Sequence, residues 1–179
     1  MIDRVRGALL KGAMAAALAV ALAVSAQPSA RAEDPIKIGF GIALTGGLAA
    51  AGKAALVAIQ IWAEETNASG GLLGRPVELI YYDDQTSPST VPGIYTKLIN
   101  IDDVDLVISG YGTNLIAPAM PIVMSHGYVF MGLFGLAVNE RFDYPYYFQI
   151  MPAGPDPRAD WSRGFFEIAA AQTPKPVTL

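Results

Sequence analysis

Two glycines and a lysine spaced as in a phosphate-binding loop are the first residues in this chain whose pattern implies chemistry. Residues 46–56 read GGLAAAGKAAL, and Gly47, Gly52 and Lys53 satisfy G-x-x-x-x-G-K. Such a loop turns backbone N–H groups toward phosphates, sets the lysine on the terminal phosphates, and needs a following Ser or Thr to hold magnesium. Ala54 stands at that position and carries no hydroxyl. Asp83 closes a later apolar strand, but Asp84 and Gln85 follow it without support for a second magnesium site. The stretch reads instead as a glycine turn from a strand into a helix, whose N-terminus still offers backbone N–H groups to an anion.

The remaining polar clusters do not make catalytic machinery. Asp83 and Asp84 are consecutive on a strand, so their carboxylates point to opposite faces and read as a polar turn. Asp102, Asp103 and Asp105 lack the glycine and late glutamate of a calcium loop. His126 is the only histidine, which rules out a multi-histidine metal site or a triad with a second histidine, and it reads as a helix-end residue. Asn67-Ala68-Ser69 fits a glycosylation pattern and reads as a helix terminus. No enzyme activity, metal or cofactor is expected. The stretch Ser109-Gly110-Tyr111-Gly112-Thr113-Asn114 is the better binding candidate: two glycines allow a ligand close to the backbone, and Thr113 offers a hydroxyl at a helix start. A plain N-cap by Thr113 or Asn114 would use the same residues.

The elements that must position these loops alternate between strand and helix. Apolar runs predict strands over Ile36–Leu44, Val77–Tyr82, Leu106–Ser109, Tyr128–Leu133 and Tyr146–Met151, and another beginning in Pro176-Val177-Thr178-Leu179. Helices are predicted over Ala54–Ala68, with Leu56, Ile59, Trp62 and Ala63 on one face, then after Pro88-Ser89 with Ile94, Leu98 and Ile101. Two more are predicted over Leu115–Ser125 and Arg158–Gln172. This order implies right-handed crossovers, a parallel doubly wound α/β sheet, and a ligand at the carboxyl ends of the strands. The loops to watch are 44–53, 83–88, 109–114 and 133–139.

Arg4, Arg6 and Lys11 precede an apolar run from Gly12 to Ala26, followed by Ala30-Arg31-Ala32. The run is shorter than the roughly 20 residues of a spanning helix, so residues 1–32 read as a cleavable export signal. The absence of cysteine excludes disulfides, thiolate chemistry and a lipidated cysteine anchor, and a periplasmic location is expected. Residues 1–32 hold four basic groups and one acid, so their removal takes the formal charge from −4 to −7. The remaining Lys and Arg are scattered singly, which argues against a nucleic-acid partner.

The stretches IKIGFGIALTGGLAAAG, NASGGLLGRPVELIYYDD (67–84), LVISGYGTN (106–114) and FQIMPAG (148–154) together resemble periplasmic substrate-binding proteins of the branched-chain amino-acid type, which serve ABC importers. The resemblance covers residues 35–179. It implies the type I periplasmic-binding-protein fold, two α/β lobes closing on a ligand, with residues 33–154 as the first lobe. Residues 155–179 would only begin the second, so a truncated form is expected. The resemblance also implies a small ligand, an amino acid or related carboxylate, and as partners a membrane permease with its ATPase subunits. Thr45 and Gly46 would lie in the first cleft loop. Thr113 would hold the ligand carboxylate with backbone help from Tyr111 and Gly112, and Phe134, Gly135 and Leu136 would form the next cleft loop. Leu136 replaces a threonine common in amino-acid binders and Ala51 replaces a common aromatic wall, which implies a bulkier or less polar ligand such as an aromatic acid. An extracellular sensor-type binding module would share this fold. A flavodoxin-like or nucleotide-dependent enzyme would share only the strand–helix order.

Overall fold

The computed structural model describes residues 34–151 and 154–173. The export segment expected over 1–32 and the strand expected over 176–179 lie outside the described residues. Five apolar runs form strands: β1 (Ile36–Ile42), β2 (Val77–Asp83), β3 (Leu106–Ile108), β4 (Phe130–Gly132) and β5 (Tyr147–Gln149). They build one sheet in the order β2-β1-β3-β4-β5, and every neighbouring pair is parallel. The helices are α1 (Ala49–Ala68), α2 (Val91–Asn100), α3 (Thr113–Ile116), α4 (Met120–Ser125) and α5 (Pro157–Ala170). A 3-10 turn spans Val138–Glu140.

Strand periodicity divides the core between two faces. Ile36, Ile38, Phe40 and Ile42 of β1 lie under α1 with Leu56, Ala63 and Val77. The opposite face carries the larger core, where Tyr95 and Leu98 of α2, Ile116 of α3, Met120 and Val123 of α4, and Phe130 of β4 are buried. Helices thus cover both faces, as the doubly wound reading expects. Asn67 is a staple rather than a free surface amide: its side chain donates to Val77 O (2.9 Å) and accepts from Val77 N (2.7 Å), fixing the end of α1 to the start of β2.

Three expectations are corrected. Helix α1 begins at Ala49, five residues before Ala54, because Ala49-Ala50-Ala51 are strong helix formers. Gly52 is therefore inside a helix and packs so tightly on the Ala43 carbonyl that no side chain fits there. The helix expected over Leu115–Ser125 is two short ones, since Pro118 and Pro121 cannot donate backbone bonds within a continuous helix. Trp62 was expected on the buried face of α1 and Ile101 on that of α2, yet they are 43% and 72% exposed. Trp62 lies where the sheet beyond β1 is uncovered on the α1 side, and Ile101 is already the C-cap of α2.

Candidate ligand-binding crevice

The strand order reverses at β1. The chain leaves β1 over one face through α1 to β2, and leaves β2 over the other face through α2 to β3. The loops after β1 and β3 therefore diverge at their carboxyl ends, and the gap between them is where open α/β sheets take ligands. Thr45, Gly46 and Leu48 stand on one side of the gap and Tyr111, Gly112 and Thr113 on the other. The two sides approach closely, since a Cβ on Gly112 would lie 3.5 Å from Leu48 Cδ1.

The first rim is held by Asp83. Its carboxylate accepts from Leu44 N (2.9 Å), Thr45 N (3.1 Å), Gln85 N (2.8 Å) and the Thr45 hydroxyl (2.6 Å). Burial pushes the Asp83 pKa up, but the Thr45 hydroxyl and the backbone N–H groups of Gln85, Leu44 and Thr45 outweigh it and hold the group below its ordinary value. The Thr86 hydroxyl continues the lacing, donating to Thr45 O (2.8 Å) and accepting from Leu48 N (3.1 Å). Gly46 has φ +82, and a Cβ there would lie 2.6 Å from Gln85 O, so only glycine suits this corner. Gln85 and Thr86 are themselves left-handed, both at φ 58. For β-branched Thr86 that backbone is costly, and its hydrogen bonds to the first loop retain it.

Asp84 goes the other way, as alternation along the strand requires. It is 1% exposed; Oδ1 accepts from Thr86 N (2.8 Å), and Oδ2 is buried without a partner among the described residues. Burial first, and the neighbouring Asp83 charge second, push its pKa up against the opposing Thr86 N–H. The two acids share no site.

The second rim is tied to the loop after β4 by two hydroxyls. Buried Ser109 donates to Gly110 O (2.9 Å) and accepts from Leu133 N (2.8 Å). Thr113 accepts from Leu136 N (3.1 Å), which leaves its O–H proton for an acceptor presented in the crevice. Thr113 is the first residue of α3 and not its cap. Gly112 takes the cap position at φ 101, and no side chain caps this helix. Phe134, 43% exposed, meets Tyr111 at 4.8 Å between ring centroids with a 39° tilt. Gly135 is buried against Val138 and Ile116, which leaves no room for a side chain.

Of the eight expected site residues, the structure brings Tyr111, Gly112, Thr113, Phe134, Gly135 and Leu136 together on one rim. It places Thr45 and Gly46 on the facing rim, with the Thr45 hydroxyl already engaged by Asp83. Sequence reasoning missed Asp83, Thr86 and Ser109 as the residues that set the rims. The only signal for them was polar residues directly following apolar strands. Lys53 is exposed on the second turn of α1, and His126 caps the end of α4 beside Ile122 O (2.9 Å) and Asn100 Oδ1 (3.2 Å). Among the described residues, no three acidic or histidine side chains are placed to share a metal ion. Thr45, Gly46 and Thr113 are exposed on these rims. A separate hollow of about 450 Å³ lies behind Leu136, lined also by Asn139, Glu140, Tyr147 and Gln149. The arrangement offers one donor hydroxyl, open backbone and an aromatic platform, which suits holding a small polar-headed molecule.

Known proteins share this arrangement. A family model described as periplasmic binding protein matches residues 35–175. The chain is 30% identical over 92 residues to Leu/Ile/Val-binding protein homolog 2 of Brucella abortus, a match covering 51% of this chain and 24% of that one. Among solved structures it resembles a putative branched-chain amino acid ABC transporter protein from Silicibacter pomeroyi, at TM-score 0.65 and 32% identity over 75% of this chain and 35% of the other. It also resembles the branched-chain amino acid transporter substrate-binding protein LivJ from Streptococcus pneumoniae, solved with isoleucine, at TM-score 0.60 and 25% identity over 65% and 33% of the two chains. The chain thus spans about a quarter to a third of the length of these relatives. With one parallel sheet laid out as in type I binding proteins and a family match running from residue 35 to 175, the chain belongs to the periplasmic binding protein family.

Proposed function

We propose that this chain provides the first ligand-binding lobe, residues 33–154, of a periplasmic solute-capture protein for an ABC importer, with residues 155–179 opening a second lobe. The ligand is an amino acid or related small carboxylate, delivered to a membrane permease driven by ATPase subunits. The observation that carries this reading is Thr113: its hydroxyl accepts from Leu136 N and keeps its own O–H to donate to a carboxylate in the crevice. The exposed Phe134 ring, braced by Tyr111, gives an apolar ligand body a flat surface. The names of the Brucella relative and of the isoleucine-bound Streptococcus structure agree with that ligand class.

A single lobe supplies about half of a two-lobed grip, and closure needs contacts that favour the closed state. A full site binding near 1 μM gains about −8 kcal/mol, so an even split leaves about −4 kcal/mol and a Kd of about 1 mM. Amide chemical-shift mapping of the chain with isoleucine and with benzoate tests this. Weak saturable shifts are expected at Tyr111–Thr113 and Leu136, and Thr113→Ala should abolish them without altering the fold. Tight binding by the chain alone, or shifts unaffected by Thr113→Ala, would overturn the reading.

A further inference from the structure

Among the described residues, Asp84 has a partner at every polar atom but one. Its N–H donates to Ile42 O (3.1 Å), and its carbonyl accepts from the Thr90 hydroxyl (2.7 Å) and from Ser87 N (2.9 Å). Oδ1 accepts from Thr86 N, and the Thr86 hydroxyl laces the first rim through Thr45 O and Leu48 N. Oδ2 lies against the second rim instead: a Cβ on Gly110 would sit 3.3 Å from it and 2.7 Å from Gly41 O. The carboxyl thus spans the point where the strand order reverses, reaching from one rim to the other. It is 1% exposed, and Oδ2 is the one buried side-chain polar atom without a partner among the described residues. A buried carboxylate oxygen with no donor bears its full desolvation cost, which a bound proton relieves.

We propose that Asp84 is a proton-linked positioning residue of the crevice: an anionic ligand seated between the rims binds with uptake of a proton at this buried carboxyl. This role rests on the crevice being the ligand site proposed above. An ionised Asp84 puts a negative charge under the two loops that would hold a ligand carboxylate, in buried surroundings where salt screens little. A protonated Asp84 does not repel the ligand. The groups packed around it give no relief. Asp83 beside it carries a second negative charge, and Tyr95 of α2 spends its O–H on Ile108 O (2.7 Å). β1 and the loop after β3 bring Gly41 and Gly110, which carry no charge. Burial first, and the Asp83 charge, already favour the protonated form against the Thr86 N–H. Proton and ligand therefore each raise the affinity for the other. Carboxylate affinity is highest in acid and falls as pH rises through the Asp84 titration.

Following the Asp84 side-chain carboxyl carbon by NMR from about pH 3 to 9 tests this, in the chain alone, with saturating benzoate, and with an equal concentration of benzamide. Benzoate should raise the Asp84 midpoint by about one pH unit. That is a linkage of about tenfold, the size expected for like charges about 10 Å apart at an effective dielectric near 20. Benzamide has the same shape without the charge and should leave the midpoint unmoved. In Asp84→Asn, amide shifts at Tyr111–Thr113 should report an affinity for ionised benzoate that no longer falls with rising pH. If that variant does not fold, the wild-type titration decides alone. Benzoate bound at those amides with the Asp84 midpoint unmoved overturns the proton link and leaves the crevice reading standing. So does a midpoint moved equally by benzamide, an Asp84 that does not titrate in this range, or a pH dependence that survives Asp84→Asn. Benzoate that shifts none of those amides at any pH overturns both.

Discussion

Replacing Asp83 by Asn tests the reasoning about the crevice most directly. The carboxylate accepts three N–H groups on Oδ1 and the Thr45 hydroxyl on Oδ2. Asparagine keeps the Oδ1 acceptor but puts an NH₂ where the hydroxyl donates, so one bond is lost and three lose their charge assistance. Hydrogen bonds to charged groups contribute about 1.5–3 kcal/mol and neutral ones about 0.5–1.5, and this rim is only half-buried, so the expected cost is about 1–2 kcal/mol. For a domain of this size that is a fall in Tm of roughly 3–8 °C. The sign with pH follows from the depressed folded-state pKa of Asp83. Its stabilisation is fully present above the unfolded value near 3.9 and is lost as pH falls through the folded value. Urea unfolding of both proteins should therefore show a gap near neutral pH that closes as the solution is acidified below the unfolded value and through the depressed folded-state value. A gap that persists unchanged in acid, or none at neutral pH, would refute the assignment of Asp83 as the charged clasp of the first rim.

Two further substitutions probe the same corner. Gly46→Ala forces a side chain into left-handed backbone and to 2.6 Å from Gln85 O, so unfolding should become easier by about 2–3 kcal/mol, and a loss under about 0.5 kcal/mol would mean the loop simply shifts. Asp84→Asn should do the opposite of Asp83→Asn with pH. The raised folded-state pKa of Asp84 makes its contribution fully present below about pH 4 and lost as pH rises, so the variant should gain stability over the wild type between pH 4 and neutrality. A pH-independent difference in urea unfolding would contradict this.

The alternation of strand and helix was legible because each strand is a short apolar run closed by glycine, proline or an acid, and because parallel strands need crossovers. The Walker-like spacing misled about where α1 begins, since glycine reads as a loop signal. Gly52 is there because a helix backbone approaches the Ala43 carbonyl, a contact invisible along the chain. The site was legible as a set of loops and not as a set of bonds. Thr113 could be picked out as a hydroxyl at a helix start, but its acceptor role toward Leu136, 23 residues away, belongs to the tertiary fold. Thr45 enters only through the family resemblance, and its hydroxyl is engaged by Asp83, 38 residues away.

The acidic pair shows how far local rules reach. Alternation along β2 correctly separates Asp83 from Asp84, and it even implies that one of them faces the core. What it cannot say is which environment each meets. Asp83 ends β2 beside β1, whose departing loop presents two N–H groups and a hydroxyl, and Gln85 adds a third N–H, so its charge is stabilised. Asp84 is buried instead, with one N–H, from Thr86, on Oδ1 and none on Oδ2 among the described residues, so its proton is retained to higher pH. Two identical side chains one residue apart therefore take opposite electrostatic roles. One laces the rim of the crevice, and the other is buried beneath it and holds its proton to higher pH. The difference is set by the strand order β2-β1-β3, which opens the crevice and, at the same point, brings the first cleft loop within reach of Asp83 alone.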